Sequence, residues 1–124
     1  MNDGSQFPVI TTVGEWLRIA IRSGGPEAEP IEIDAILDFD ASSRIVGVEF
    51  INLLSNTSPS AFEGYDWRVP RDMRISFDED CDAFYLNVDV EARRVDQSVS
   101  AGRVVLDKAG HLIAIEVRIP ETRD

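Results

Sequence analysis

The chain has 124 residues, of which 44% are hydrophobic and 28% are charged. That length suits one domain that buries roughly two thirds of its unfolded surface on folding, and this composition excludes wholesale disorder and a fibrous repeat. Twenty-three acidic and twelve basic residues give a net charge of -11. Such a charge repels nucleic-acid backbones and anionic lipid, so we expect neither a nucleic acid nor a membrane as partner.

The chain has a single cysteine, Cys81, and a single histidine, His111. One cysteine excludes an internal disulfide, and the two residues together do not supply the ligands of a structural zinc site. No apolar run approaches the roughly 18 residues of a membrane-spanning helix, and the N-terminus lacks a basic segment followed by an apolar one. We therefore expect a cytoplasmic protein without a metal or a cofactor.

The first half of the chain reads as β-strands, because its apolar residues alternate with period two. In the strand predicted at 16–21, the inward residues are Leu17, Ile19 and Ile21, and the outward ones are Trp16, Arg18 and Ala20. A tight turn is predicted at Asp40–Ser43, where an Asp side chain accepts hydrogen bonds from the backbone. The strand that follows places Glu49 outward and buries Val46, Val48 and Phe50.

Residues 55–72 are rich in Ser, Pro and Gly, which breaks the alternation and predicts a crossing linker. Its aromatic residues Phe62, Tyr65 and Trp67 are too many for a segment that only touches solvent. We therefore expect the linker to lie against the sheets. A helical turn is predicted to begin at Ser58–Pro59, since Ser caps helices and Pro is favoured at the first helical position.

The second half alternates in the same way. The strand predicted at 84–90 turns Tyr85 outward and buries Phe84, Leu86, Val88 and Val90. A second Asp turn is predicted at Asp107–Gly110. The last strand places Glu116 outward and buries Ile113, Ile115 and Val117.

These blocks indicate an internal repeat, in which residues 13–52 match residues 82–119. Residues 45–51 match 112–118 at an offset of 67, and residues 16–21 match 85–90 at an offset of 69, which predicts a loop two residues longer in the first copy. A small β-meander cannot bury its apolar face alone. We therefore predict a mainly β fold with little helix, in which two meanders, 1–54 and 73–124, pack as a pseudo-twofold sandwich or barrel.

Two stretches, 73–86 and 102–117, carry a family resemblance. Their Phe77-Asp78, the Asp82-Ala83-Phe84-Tyr85 that opens a strand, and the Asp107-x-x-Gly turn before Ile115-Glu116 resemble the bacterial domain of unknown function 2283. Residues 13–52 resemble a degraded second copy. The resemblance implies a small β domain and carries no catalytic residue over to this chain.

The acidic cluster Asp78–Asp82 has alternate carboxylates like those of a calcium loop. Ala83 stands where such a loop needs Gly, and a strand pattern follows where the loop would open a helix. We therefore favour an acidic turn in which Asp78 and Asp82 accept backbone hydrogen bonds, and we expect no metal site.

Glu49 and Glu116 occupy equivalent outward positions beside the small residues Gly47 and Ala114. Two carboxylates that a pseudo-twofold axis brings together can divide acid and base roles. The favoured interpretation is that both face solvent and discourage association between sheets. Cys81 and His111 are not predicted to form a catalytic pair, because the carboxylates around Cys81 suppress its thiolate.

Trp16, Tyr85, Tyr65 and Trp67 are the aromatic residues best suited to contact a partner. If Trp16 and Tyr85 face outward, they form equivalent positions on the outer surface; the alternative is that the linker covers all four.

We therefore predict a non-enzymatic binding or interaction module, with Trp16, Glu49, Trp67, Tyr85 and Glu116 as candidate contacts. One alternative is a regulatory partner of a basic protein. The other is a small-ligand binder or enzyme that uses Glu49 and Glu116. Both a monomer and a homodimer are compatible with the repeat, because exposed edge strands are able to pair.

Overall fold

A computed structural model describes residues 8–65, 75–89 and 91–120 of the chain. These residues form two five-stranded antiparallel sheets and one four-residue helix, α1 (Leu53–Asn56). The strands are β1 (Val9–Val13), β2 (Trp16–Ala20), β3 (Ile31–Glu32), β4 (Ala35–Phe39), β5 (Ile45–Ile51), β6 (Ile75–Asp78), β7 (Ala83–Asn87), β8 (Asp96–Ser100), β9 (Gly102–Leu106) and β10 (Leu112–Arg118). The predicted mainly β fold is confirmed.

Each sheet combines strands from both halves of the chain. Sheet one has the order β1-β2-β10-β9-β3, and sheet two has the order β6-β7-β5-β4-β8. The two halves therefore do not form separate meanders, since β2 pairs with β10 and β4 pairs with β5 in the other sheet. The physical reason is that the chain crosses from sheet one to sheet two between Glu32, where β3 ends, and Ala35, where β4 begins, so β4 and β5 pair in the other sheet.

The two sheets correspond strand for strand. Replacing each strand of sheet one by the strand five places before or after it reproduces the order of sheet two. The residue pairs correspond as well: Ile19 pairs with Ile115, and Leu86 pairs with Val48, so that both members differ by 67 positions. This correspondence is consistent with the predicted internal repeat, which itself stays a prediction.

The offset of 69 predicted for the earlier strand is wrong. At the observed offset of 67, Tyr85 corresponds to Arg18, and Trp16 corresponds to Ala83. The two-residue difference in length lies in a hairpin turn: residues 14–15 join β1 to β2, whereas residues 79–82 join β6 to β7. A sequence match does not distinguish the two placements, because a shift by two residues preserves the alternation of a strand.

A β-bulge occurs at the same place in each sheet. The register shifts between Asp38 and Phe39 in one sheet and between Leu112 and Ala114 in the other. The bulge reverses the alternation, so Leu112 joins the main core, whereas Ile113 packs with Val105 and Ala114 in a smaller second cluster. The predicted burial of Ile113 is confirmed, since it is 6% exposed, but its predicted place on the same face as Ile115 is wrong, because an extra residue in a strand moves its neighbours to the opposite face.

The main core lies between the two sheets. It contains side chains from both sheets that are fully buried, among them Ile19, Leu37, Val48, Phe50, Phe84, Leu86, Ile115 and Val117. These predicted inward positions are confirmed. Val46 is 1% exposed but does not belong to this core, because it lies at the bulge of its sheet, and Val90 lies outside the described residues.

The predicted turns at Asp40–Ser43 and Asp107–Gly110 are confirmed, and they share one hydrogen-bond pattern. The Asp40 side chain accepts from the backbone N–H of Ser42 and Arg44. The Asp107 side chain accepts in the same way from Ala109 and His111. These hydrogen bonds lower the pKa of each Asp below its ordinary value. The largest effect comes from the N–H of Arg44 on Asp40 and from the N–H of His111 on Asp107.

The first part of the linker lies against the sandwich, as expected. Phe62 stacks on Phe84, with ring centroids 5.7 Å apart, and the Ala61 carbonyl accepts a hydrogen bond from Leu112 N–H at 2.7 Å. The helix, however, begins at Leu53, and the segment after Ser58 forms successive turns. No helix in the described ranges is long and apolar enough to cross a membrane.

The location of the core predicts that the same Val→Ala substitution lowers the free energy of unfolding by different amounts at a buried and at an exposed position. Val48→Ala removes two methyl groups from a side chain that is 0% exposed, whereas Val95→Ala does so at a position that is 56% exposed. We expect Val48→Ala to lower the free energy of unfolding by about 2 kcal/mol and Val95→Ala to change it by less than about 0.5 kcal/mol. Urea unfolding measures both; similar losses would contradict the placement of the core.

Candidate functional site

The predicted contact residues lie on the outer faces of the two sheets. Trp16 and Glu116 are on the outer face of sheet one, whereas Glu49 and Tyr85 are on the outer face of sheet two. Their strand neighbours, among them Val117 and Val48, point into the shared core. Trp67 lies outside the described residues.

Five cross-strand neighbours run across the middle of the outer face of sheet one. We call them the sheet-one row, and they are Thr11, Arg18, Glu116, Arg103 and Glu32 in spatial order. Opposite charges alternate along four of the five positions. Opposite charges on facing residues of neighbouring strands stabilise a sheet.

Glu116 is the centre of the sheet-one row and is only 6% exposed. Its Oε2 accepts a hydrogen bond from Arg18 Nη1 at 2.8 Å, and its Oε1 accepts one from Arg103 Nε at 2.5 Å. Burial alone would raise the pKa of this carboxyl, but the hydrogen bonds from Arg103 and Arg18 and their positive charges outweigh burial and lower it. Glu116 is therefore a paired structural carboxylate.

Trp16 belongs to the same cluster. The Arg103 guanidinium lies over the Trp16 ring, 3.9 Å from its centroid, which is close enough for a cation–π interaction. Arg18 in turn donates to Glu27 Oε2 at 2.8 Å. The segment that contains Glu27 also pairs with the end of β9, where Ala28 N–H donates to the Leu106 carbonyl. The middle of this face is thus occupied by side chains of the chain itself.

The corresponding row of sheet two has different chemistry. We call it the sheet-two row, and its spatial order is Ser76, Tyr85, Glu49, Ile36 and Val99. Glu49 holds the position that Glu116 holds in sheet one, while Tyr85 and Ile36 replace the two arginines. Val99 replaces Glu32 and is 68% exposed, and Ile51, two residues from Glu49 along β5, is 44% exposed.

Glu49 has no hydrogen-bond or ion-pair partner among the residues that the structure describes. It is half-buried between the side chains of neighbouring strands. A carboxylate with apolar neighbours and no cation of its own is able to pair with a cation supplied from outside.

Beside the sheet-two row lies a polar cluster around Asp38, which is 7% exposed. Asp38 Oδ2 accepts hydrogen bonds from the Tyr85 hydroxyl at 2.7 Å and from Arg94 Nε at 3.2 Å, and Oδ1 accepts one from Gln97 at 2.9 Å. Arg94 also donates to Asn87 and lies over the Tyr85 ring, 5.4 Å from its centroid. Burial first, and then the bond to Asp38, raises the pKa of Tyr85 to about 12.

Gly47 makes this cluster possible. A Cβ at this position would overlap the Tyr85 hydroxyl and would lie 2.9 Å from Asp38 Oδ2. The Tyr85 ring is therefore able to lie across β5 and reach Asp38 only because the strand carries no side chain there.

The structure does not bring Glu49 and Glu116 together. They lie on the outer faces of opposite sheets, with the core between them, so they cannot act on one substrate as an acid and base pair. Trp16 and Tyr85 do not correspond to each other either, since Tyr85 corresponds to Arg18. Both rings face outward and are half-buried, Trp16 beneath Arg103 and Tyr85 beneath Arg94.

The acidic turn has the predicted hydrogen bonds. Asp78 Oδ1 accepts from Asp80 N–H at 3.0 Å. The Asp82 carboxylate accepts hydrogen bonds from the N–H groups of Leu54 and Ser55 in α1 at 2.8 and 2.9 Å. Burial alone would raise the pKa of Asp82, but these hydrogen bonds outweigh burial and lower it. Asp82 thus links the turn between β6 and β7 to α1, and so the second half of the chain to the end of the first, by hydrogen bonds. Among the described residues, no group of three His, Cys, Asp or Glu is arranged to hold a metal ion.

Sequence reasoning missed the residues that distinguish the two faces: Arg18, Ile36, Asp38, Arg94, Val99 and Arg103. Alternation placed Arg18 outward, but it did not show which residues of other strands lie beside it. Gly47 was the available signal for the Asp38 cluster, because a glycine within a strand often marks the close approach of another group.

No family model, no curated protein and no solved structure matches the chain. The resemblance to the domain of unknown function 2283 therefore stays a prediction. The functional inference depends on the geometry of the two outer faces.

The two equivalent glutamates predict a matched pair of variants. Glu116→Gln removes the charge that Arg18 and Arg103 share, and we expect it to lower the free energy of unfolding by about 1 to 2 kcal/mol at neutral pH. Glu49→Gln removes no hydrogen bond or ion pair in the described part of the chain, and we expect it to change the free energy of unfolding by less than about 0.5 kcal/mol.

The stabilisation by Glu116 is predicted to depend on pH. Because folding lowers its pKa, its contribution is fully present above the ordinary value of 4.5 and is lost as the pH falls through the lower value of the folded state. The difference between the wild type and Glu116→Gln should therefore shrink in acid. Urea unfolding at a series of pH values measures it, and a difference that grows as the pH falls would contradict the assignment.

Proposed function

We propose that this chain is a non-enzymatic interaction module that binds a basic protein partner through the outer face of sheet two. One observation carries the proposal: at the position where Glu116 is held by two arginines, Glu49 has no ion-pair partner among the described residues and lies between Tyr85 and Ile36. The partner supplies the cation that Glu49 lacks among the described residues.

The apolar surroundings of Glu49 support the same surface. Ile51 and Val99 are among the large hydrophobic side chains that remain exposed, and Val99 lies directly across from Ile36 in the neighbouring strand. Interfaces commonly combine apolar side chains at the centre with a few charges that fix the orientation. A partner that fits this face therefore presents aliphatic side chains together with an Arg or Lys.

The charge of the whole chain supports a basic partner. A net charge of -11 attracts cationic proteins over a distance and speeds their association, in a manner that salt screens. The local feature, Glu49 with its aliphatic neighbours, then selects the docking site. A cytoplasmic location belongs to the same proposal and is supported by an exposed, unpaired Cys81, which suits a reducing compartment.

The proposal is tested by selecting ligands for the face. Peptides are selected against the wild-type chain from a phage-displayed random library, and their affinity is measured by fluorescence anisotropy. We expect the selected peptides to combine Arg or Lys with aliphatic residues. We expect Glu49→Lys to weaken their binding at least about tenfold, which is about 1.4 kcal/mol, and raised salt to weaken it further.

Glu32→Lys is the matched control. It changes the net charge by the same amount, but Glu32 lies at the end of the sheet-one row. Circular dichroism verifies that both variants fold. Equal binding of the selected peptides by the wild type and by Glu49→Lys, or equal loss in both lysine variants, would contradict the proposed face.

A further inference from the structure

The edge strand β1 has features that suit pairing with another strand. Its sequence is Val9-Ile-Thr-Thr-Val13, which contains no charged residue, Pro or Gly. It pairs with β2 in one continuous register, and on its other side it has no neighbouring strand among the described residues. Val9 and Val13 are 38% and 54% exposed. An edge strand leaves a row of backbone N–H and C=O groups that a further strand is able to satisfy.

The other three edge strands carry the usual protections against such pairing. β3 has only two residues, one of which is Glu32. β6 ends in Asp78, and β8 begins with Asp96. Short strands and charged side chains discourage pairing between edges. In a chain with a net charge of -11, β1 is thus the uncharged one among the four edge strands that the structure describes.

We infer that β1 pairs antiparallel with β1 of a second copy of this chain, with Thr11 on the twofold axis. The strand is nearly a palindrome about Thr11, so Val9 faces Val13 of the second copy and Thr11 faces its own counterpart. This is an isologous contact, which closes after two copies. Sheet one of the first copy and sheet one of the second copy then form one continuous sheet of ten strands.

The charge of the chain favours a second copy as the occupant of this edge. A basic partner gains nothing from an uncharged strand, because Glu49 and the acidic turns lie elsewhere. Two copies, in contrast, repel each other through their net charges, and they approach with least repulsion where no charged side chain lies on the contacting strand. Salt screens the repulsion and therefore strengthens the pairing.

Sedimentation equilibrium tests the contact at chain concentrations from about 10 µM to about 1 mM, where weak association is measurable. We expect the average mass to rise from 13.8 kDa toward twice that value, and to rise further when salt is raised. Thr11→Lys places two like charges on the axis and should return the chain to a monomer. Ser76→Lys, the same new charge at the corresponding position of β6, should leave the association unchanged.

A cross-linking experiment tests the register without depending on the lysine variants. In a Cys81→Ser background, Thr11→Cys places two thiols directly opposite each other, with Cα atoms about 4.5 to 5.5 Å apart, which suits a disulfide. Thr12→Cys is the control, because Thr12 lies opposite Ile10 of the second copy. The two cysteines at position 12 are then diagonal neighbours, which are farther apart than residues directly opposite each other. We expect mild oxidation to link the first variant at least about tenfold faster than the second.

A constant mass of 13.8 kDa over the whole range would overturn the inference. So would a dimer that persists in Thr11→Lys, or equal cross-linking of the two cysteine variants. The inference is independent of the proposed binding face. Self-association grows with salt and depends on Thr11, whereas binding of a basic partner weakens with salt and depends on Glu49, so the failure of either is recognised separately.

Discussion

The structure depends on burial of one apolar core that neither half of the chain is able to enclose by itself. Each half supplies strands to both sheets, so the side chains of β2 and β10 on one side meet those of β5 and β7 on the other. The halves are joined further by Asp82, whose carboxylate accepts hydrogen bonds from the start of α1. Separating the halves would break backbone ladders as well as the core, and we therefore expect the sandwich to unfold as one cooperative unit.

Because the inner faces are apolar in both sheets, the differences in charge between the sheets lie on their outer faces. The same backbone position carries Glu116 between two arginines in one sheet and Glu49 between Tyr85 and Ile36 in the other. A paired, nearly buried carboxylate stabilises its own sheet, and its charge is already balanced by the arginines beside it. A carboxylate among apolar side chains contributes little to folding and is available to an external cation. The near-symmetry of the backbone thus makes the chemical difference between the two outer faces visible.

Several features of the fold were predictable from residues close together in the sequence. Alternation identified β2, β5, β7 and β10 and the burial of residues such as Val48, Phe50, Phe84 and Leu86, because side chains on a strand point in turn to opposite sides. The turns at Asp40 and Asp107 were predictable because an Asp side chain hydrogen-bonds to nearby backbone N–H groups. The bulge at Ile113 was not predictable, since one extra residue in a strand has no distinct sequence signature here.

By itself, the sequence determined an acidic, mainly β chain with a two-residue periodicity, two Asp turns and outward positions for Glu49, Glu116, Trp16 and Tyr85. Only the tertiary structure decided how the strands of the two halves are distributed between the sheets and which residues lie side by side across them. The reason is physical. Periodicity reports the direction of a side chain within its own strand, whereas the partner of that side chain is set by the register between strands that are distant in the sequence. Arg18 and Arg103 therefore became partners of Glu116 through pairing alone, whereas the same pairing in the other sheet set Tyr85 and Ile36 beside Glu49.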